Sequence, residues 1–185
     1  MTSPAFKNGA LWALHFGFYT GFLALRSWFQ PVPMPTALIL ALLLVWISVI
    51  DVERFEIPDT ASALLALTGG VFAYQTGEVI FIDHIVGGVL WAGLFWFVAS
   101  TYARWRGWQG LGFGDVKLML GIGFWLGLNG TTAVVFSASI AGVLAILGGS
   151  VTGYTQDAKL DKTGIAFGPF LCLSTWIVWL FKDLI

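Results

Sequence analysis

Long apolar runs separated by short polar segments are the feature that most restricts how this chain can fold. Most runs approach about 20 residues, the length with which a helix crosses about 30 Å of hydrocarbon. The connecting segments hold turn-forming residues, among them Gly77, Asn129 and Gly130. The runs lie at 9–29, 36–52, 60–76, 85–102, 116–128, 131–151 and 165–181. We expect an all-α polytopic membrane protein, a bundle of about seven transmembrane helices that forms one membrane-embedded domain over residues 1–185.

The composition agrees with a membrane protein and argues against several other classes. Hydrophobic residues make up 58% of the 185 residues and charged residues 10%, whereas a soluble domain is about 25% charged. The net charge of −1 offers no basic field for nucleic acid, so the lipid bilayer is the expected surrounding. The single cysteine, Cys172, has no partner for a disulfide or a zinc site, and we interpret it as a packing residue.

The positive charges predict how the bundle is oriented. Seven crossings would place the amino terminus and the even-numbered loops on one side of the membrane, and the odd-numbered loops on the other. The first side carries Lys7, Arg54, Arg104, Arg106, Lys117, Lys159 and Lys162, and the second carries Arg26 and Lys182. Positive residues favour the cytoplasmic side. We therefore expect the amino terminus inside and the carboxyl terminus outside.

Two aspartates at the ends of apolar runs are the candidate catalytic residues. Asp51 follows residues 36–50, which would rise about 22 Å as a helix, and Asp115 precedes residues 116–128, which would rise about 20 Å. Both lengths fall short of about 30 Å, so the two carboxylates should lie at similar depth below the cytoplasmic surface. Insertion of a carboxylate into the membrane interior costs about 2.5–3.5 kcal/mol, so an aspartate found there is expected to have a function.

Two carboxylates that face each other across a water can hydrolyse an amide bond. The ionised one takes a proton from the water, and the protonated one donates to the carbonyl oxygen. No set of Ser, His and Asp competes, because His15 and His84 are each predicted to be packing or interfacial residues. No His or Cys ligands accompany the aspartates, so we predict no metal and no cofactor.

Helix capping is the alternative role for these acidic residues. Asp115 follows the glycine-rich segment 107–114 and could simply cap the next helix. Asp59 follows Pro58, and for it an N-cap of a helix that starts at Thr60 is the favoured interpretation.

Small residues predict a close contact between two helices. Gly123 and Gly127 form a GxxxG motif in the run 116–128, and the preceding run, 85–102, contains the small residues Gly87, Gly88 and Ala92. Such residues let helix backbones approach closely in membranes, so we interpret them as packing residues rather than substrate contacts.

Three motifs in order resemble those of the type IV prepilin peptidases. They are the stretch 51–59 (DVERFEIPD), the GxGD motif at 112–115, and Phe167-Gly168-Pro169. The aspartates are 115 − 51 = 64 residues apart. The resemblance implies that Asp51 and Asp115 are the catalytic pair. It further implies cleavage of the basic leader peptide of prepilins or pseudopilins at the cytoplasmic face of the bacterial inner membrane.

The acidic residues near Asp51 raise a hypothesis about the substrate. Because the leader peptides of this family are basic, Glu53, Glu56 and Asp59 could attract them; the alternative is a solvated helix end. The candidate substrate-binding residues are Glu53, Glu56, Asp59, Gly112, Gly114 and Lys117.

The chain also departs from the longer members of the family. Those carry an amino-terminal helix and a zinc-binding segment with paired cysteines, and many methylate the new amino terminus. Here 50 residues precede Asp51 and Cys172 is alone. We expect a short peptidase form without the zinc-binding segment, and its residues give no support for methyltransferase activity.

Other functions remain open at this point. A preflagellin-type peptidase or another GxGD protease would use the same aspartates. In a transporter or a pilus-assembly scaffold, the intramembrane carboxylates would carry protons or ions instead.

Overall fold

The computed structural model of the protein describes residues 4–106, 112–151 and 166–182. These residues form helices joined by short connections, and none of them lies in a strand, which confirms the expected all-α class for the described chain. The helices are α1 (Pro4–Phe29), α2 (Met34–Arg54), α3 (Asp59–Thr76), α4 (Glu78–Arg106), α5 (Phe113–Val151) and α6 (Gly168–Phe181).

Several helices are suited to a lipid environment. Met34–Arg54, Glu78–Trp105 and Phe113–Gly148 are each long and apolar enough to cross a membrane, and Gly168–Phe181 is apolar but shorter. Large apolar side chains such as Leu67 lie on the outer surface of the bundle, which fits a lipid-facing surface better than a water-facing one. The count of seven crossings stays a prediction.

The long helix α5 reverses direction at Gly127, where the backbone leaves helical geometry with φ 68° and ψ −172°. A straight helix would separate Asp115 from Gly142 by 142 − 115 = 27 residues, or about 40 Å. Yet Gly142 lies beside Phe167, at the same end of the bundle as Asp115. The second half of α5 therefore runs back along the first. The sequence predicted this turn at residues 129–130, which is two residues too late, because Gly127 is the residue that adopts the positive φ.

Side chains from α4 hold this reversal in place. In an unbroken helix the Phe124 carbonyl would accept a hydrogen bond from the Leu128 amide. Instead, the Leu128 amide donates to Asp83 Oδ2 at 3.2 Å, and His84 Nδ1 donates to the Phe124 carbonyl at 2.8 Å. The break at Gly127 separates the Leu128 amide from the Phe124 carbonyl, and two neighbouring residues of α4 provide each group with a new hydrogen-bond partner.

The predicted close contact of small residues is confirmed between α4 and α5. A Cβ atom on Gly87 would lie 2.6 Å from the carbonyl carbon of Gly127, and one on Gly123 would collide with the backbone of Gly88. Only glycine lets the two backbones approach this closely.

Stacked aromatic rings connect four helices through the core. Tyr19 of α1 stacks on Trp176 of α6, which stacks on Trp179 at 5.7 Å between ring centroids. Trp179 meets Trp125 of α5 edge to face, and Trp125 stacks on Phe72 of α3. This series of rings sets the spacing of α1, α6, α5 and α3.

Arg26, which the sequence analysis counted among the charges on the side opposite the cytoplasm, is buried. Its Nε donates to the Leu180 carbonyl at 2.6 Å, near the carboxyl-terminal end of α6. A cation is stabilised by the partial negative charge there. Arg26 therefore ties α1 to α6 at the end of the bundle opposite Asp51.

Candidate active site

Asp51 lies in the last turn of α2 and is 6% exposed. The helix ends at Arg54 because Phe55 adopts the left-handed conformation, and its amide donates back to the Asp51 carbonyl at 2.9 Å. The carboxylate of Asp51 accepts a hydrogen bond from the amide of Gly168, with Oδ2 at 3.0 Å. The carboxyl-terminal end of α2 thus meets the amino-terminal end of α6.

Asp115 lies in the first turn of α5 and is 8% exposed. The helix begins at Phe113, so Asp115 is its third residue. Its amide donates to the Gly112 carbonyl at 3.1 Å. Asp115 is therefore in the first turn of α5 rather than at its cap position, and an acidic side chain there is favoured by the partial positive charge of the helix start. This local contribution does not exclude a second role.

The fold brings Asp51 and Asp115, which are 64 residues apart in the sequence, to the same end of the bundle. Gly114, next to Asp115, packs against Ile57 in the connection that follows α2. Asp51 in turn accepts the hydrogen bond from Gly168 at the start of α6. The two buried carboxyl groups, called the aspartate pair below, therefore lie near the place where α2, α5 and α6 come together.

Gly168 is a site residue to which the sequence assigned no role. A Cβ atom at this position would lie 2.6 Å from Asp51 Oδ2, closer than real Cβ contacts. In the sequence, the Phe167-Gly168-Pro169 segment is recognisable only as a motif of the family. Nothing in its composition indicated a contact with Asp51, because the two residues are 117 positions apart.

The glycines of the GxGD motif lie against neighbouring residues of this site. Gly112 precedes α5, and a Cβ atom on it would be 3.4 Å from Asp115 Oδ2. A Cβ atom on Gly114 would be 2.9 Å from the Cβ of Ile57, in the connection between α2 and α3. Close packing therefore accounts for Gly114, whereas a Cβ atom on Gly112 would make only an ordinary contact with Asp115.

Asp59 does not cap α3, so the favoured interpretation of this residue was wrong. Asp59 is the first residue of the helix, Pro58 occupies the cap position, and no side chain makes a cap hydrogen bond. Instead, Asp59 Oδ1 pairs with Lys117 Nζ at 2.6 Å, with the two side chains 75% and 52% exposed. This pair joins the starts of α3 and α5 beside the aspartate pair.

Glu53 and Glu56 lie near Asp51 in different environments. Glu56 is exposed in the connection between α2 and α3, whereas Glu53 is half-buried. Oε1 of Glu53 is buried and has no hydrogen-bond partner within the described residues. Of the two, Glu56 is therefore the one that a solvated peptide can reach directly.

Some residues named in the sequence predictions lie outside the described residues. They are positions 107–111 of the glycine-rich segment before Asp115, and Lys159 and Lys162, which were counted among the charges on the cytoplasmic side. Among the residues that are described, no three His, Cys, Asp or Glu side chains converge as metal ligands would.

Comparisons with known proteins point to one family. A sequence model of the type IV leader peptidase family matches residues 38–147, a range that contains Asp51 and Asp115. The prepilin leader peptidase/N-methyltransferase of Neisseria gonorrhoeae is 30% identical over 146 residues, which cover 79% of this chain and 48% of that protein. The protein of the same name from Escherichia coli (strain K12) is 32% identical over 140 residues, with coverage of 71% and 56%.

The chain spans about half the length of the curated relatives it matches. No solved structure matches it significantly.

Proposed function

The chain belongs to the type IV leader peptidase family, and from this premise we propose that it is an intramembrane aspartyl endopeptidase. Its substrates would be type IV prepilins or pseudopilins, from which it removes the basic leader peptide. The observation that carries the proposal is the buried pair of Asp51 and Asp115, supplied by two helix ends that are far apart in the sequence. Buried carboxylates without a structural partner of opposite charge are costly and are typical of functional sites.

In the proposed mechanism the two carboxyl groups divide the proton transfers. Asp51 is the ionised base, because the Gly168 amide at the start of α6 stabilises its negative charge. It takes a proton from a water molecule, whose oxygen attacks the scissile carbonyl carbon. Asp115 is the protonated acid and donates its proton to the carbonyl oxygen. Collapse of the tetrahedral intermediate then breaks the C–N bond: the proton on Asp51 passes to the leaving amine, and one hydroxyl of the intermediate returns its proton to Asp115 as the new carboxyl group forms.

The proposed site faces the cytoplasm. Arg54 and Lys117 follow the two aspartates by a few residues, and Arg104 lies at the carboxyl-terminal end of α4. Arg26 and Lys182 lie at the opposite end of the bundle. This distribution of charge supports an orientation with the aspartate pair on the positive, cytoplasmic side.

For the leader peptide, we propose that Glu56 is the main acidic contact. It is exposed, whereas the charge of Asp59 is already balanced by Lys117. Glu53 would contribute less, because burial of its carboxyl group limits direct contact with a solvated cation.

The proposal is tested by co-expressing a prepilin with the enzyme in a host that lacks its own prepilin peptidase. Asp51→Asn and Asp115→Asn each keep the side-chain volume and remove the ionisable group, so each should lower cleavage by at least about 100-fold. Asp59→Asn is the matched control and should still cleave. Gel shift and amino-terminal sequencing of the pilin report cleavage, and the membrane fraction reports how much enzyme accumulates.

Full cleavage of the prepilin by Asp51→Asn or by Asp115→Asn would refute the proposed mechanism. If the protein were a membrane scaffold without enzymatic activity, the pilin would have the same form with every variant. Loss of cleavage in Asp51→Asn and Asp115→Asn alone would therefore exclude a scaffold. Preflagellin specificity is tested by supplying a preflagellin in place of the prepilin.

Membrane orientation is tested separately by thiol labelling. Cys172 is buried, so it contributes little background. A cysteine at exposed Glu56 should react with a membrane-impermeant maleimide only after the cells are lysed, and a cysteine at exposed Gln75, near the other end of α3, should react in intact spheroplasts. The reverse pattern would invert the proposed orientation.

A further inference from the structure

Gly168 contacts the Asp51 carboxylate through its backbone amide. Its amide donates to Asp51 Oδ2 at 3.0 Å, and the bond is buried. The donor stands at the first residue of α6, where the backbone amides have no partner within the helix. The bond therefore satisfies a helix amide and a buried carboxylate at once.

The space around residue 168 also leaves no room for a side chain. A Cβ atom at residue 168 would lie 2.6 Å from Asp51 Oδ2, 3.1 Å from Cγ and 3.4 Å from Cβ. All three atoms belong to the same aspartate, and the side chain is short and enclosed. Any larger residue would therefore push the Asp51 carboxylate away from its present place.

We propose that Gly168 is a positioning residue for the aspartate pair: its amide holds Asp51 Oδ2, and its missing side chain leaves room for that oxygen. Oδ2 is then held by the protein, and Oδ1 is the oxygen that receives the proton from water. This inference rests on the proposed peptidase activity. It adds a residue of α6 to a site otherwise made by α2 and α5.

The first test is the kinetics of Gly168→Ala with a purified enzyme and a full-length prepilin. Displacement of the carboxylate should lower kcat by at least about tenfold and leave KM within about twofold, because Gly168 is buried against Asp51 and offers no exposed surface for binding the leader peptide. Gly142→Ala is the matched control: its Cβ atom would meet only the Phe167 ring at an ordinary 3.7 Å, so its kcat should stay near that of the wild type. A wild-type kcat in Gly168→Ala, or a change in KM alone, would overturn the proposal.

The second test does not depend on the folding of a glycine variant. Hydrogen exchange at the Gly168 amide should be slow in the wild type and at least about tenfold faster in Asp51→Ala, which removes the acceptor. Asp115→Ala keeps the acceptor and should leave the exchange slow. Equal exchange in Asp51→Ala and the wild type would overturn the proposal.

The two proposals fail in different ways. If Asp51→Asn and Asp115→Asn still cleave prepilin, the proposed function is wrong whatever Gly168 does. If both are inactive while Gly168→Ala is as active as the wild type, only the positioning role is wrong.

Discussion

Substitution of Gly87 should separate α4 from the reversal in α5. A Cβ atom on Gly87 would lie 2.6 Å from both the Gly127 carbonyl carbon and the Leu128 nitrogen, whereas ordinary contact begins at 3.4 Å. The two helices must therefore move apart by about 3.4 − 2.6 = 0.8 Å. The atoms that the Cβ would meet belong to the backbone, so no side chain can rotate to relieve the collision.

The size of the effect follows from comparison with a second glycine of α4. Overpacking of this kind costs about 1–3 kcal/mol, and any glycine-to-alanine change in a helix gains up to about 1 kcal/mol. Gly93 has no atom within 4 Å of its Cβ position, so Gly93→Ala should show the gain alone. Because both variants share the helix gain, Gly87→Ala should be about 1–3 kcal/mol less stable than Gly93→Ala.

Reversible unfolding in mixed micelles, followed by tryptophan fluorescence, measures this difference. The ten tryptophans of the chain include Trp125 and Trp179, which change from a buried to an exposed environment on unfolding. A difference below about 0.5 kcal/mol between the two alanine variants would refute the argument that α4 and α5 need glycine at this contact.

Further predictions concern the reversal, the exposed ion pair and the substrate. Asp83→Ala should lower the free energy of unfolding by about 1–3 kcal/mol, because the Leu128 amide loses its acceptor, and Asp83→Asn should lose less; equal stability of wild type and Asp83→Ala would contradict this. Lys117→Met should cost no more than about 1 kcal/mol, because both partners of the Asp59 pair are exposed, and a loss above about 2 kcal/mol in the same assay would show a larger role. Glu56→Lys should raise KM for a prepilin about fivefold without changing kcat, from a charge effect of about 1 kcal/mol; an unchanged KM would remove the proposed contact.

The helices themselves were largely predictable. The apolar runs overlap α1 to α6, and the two runs before and after residues 129–130 correspond to the two halves of α5. Runs of apolar residues predict membrane helices well because every backbone group must be satisfied within its own segment. The position of the reversal depended on Asp83 and His84 of another helix, which no local pattern indicates.

The acidic residues show where prediction from a single sequence stops. Asp59 has the local signature of an N-cap, but the side chain pairs with Lys117, 58 residues away. Asp115 lies in the first turn of its own helix, where an acidic residue is favourable, and the residue before it packs against Ile57 from the connection after α2. A local pattern identifies what a side chain can do within its own segment, and partners from other segments decide which contact it makes.

The sequence by itself determined the helical class, the candidate aspartates and the ordered motifs of the family, because these depend on composition and on spacing along the chain. Only the tertiary structure decided that Asp51 and Asp115 are buried at the same end of the bundle, and that Gly168 leaves room for Asp51 Oδ2. The reason is physical: hydrophobic runs determine which segments become helices, whereas close packing of particular glycines and aromatic rings determines which helix ends come together.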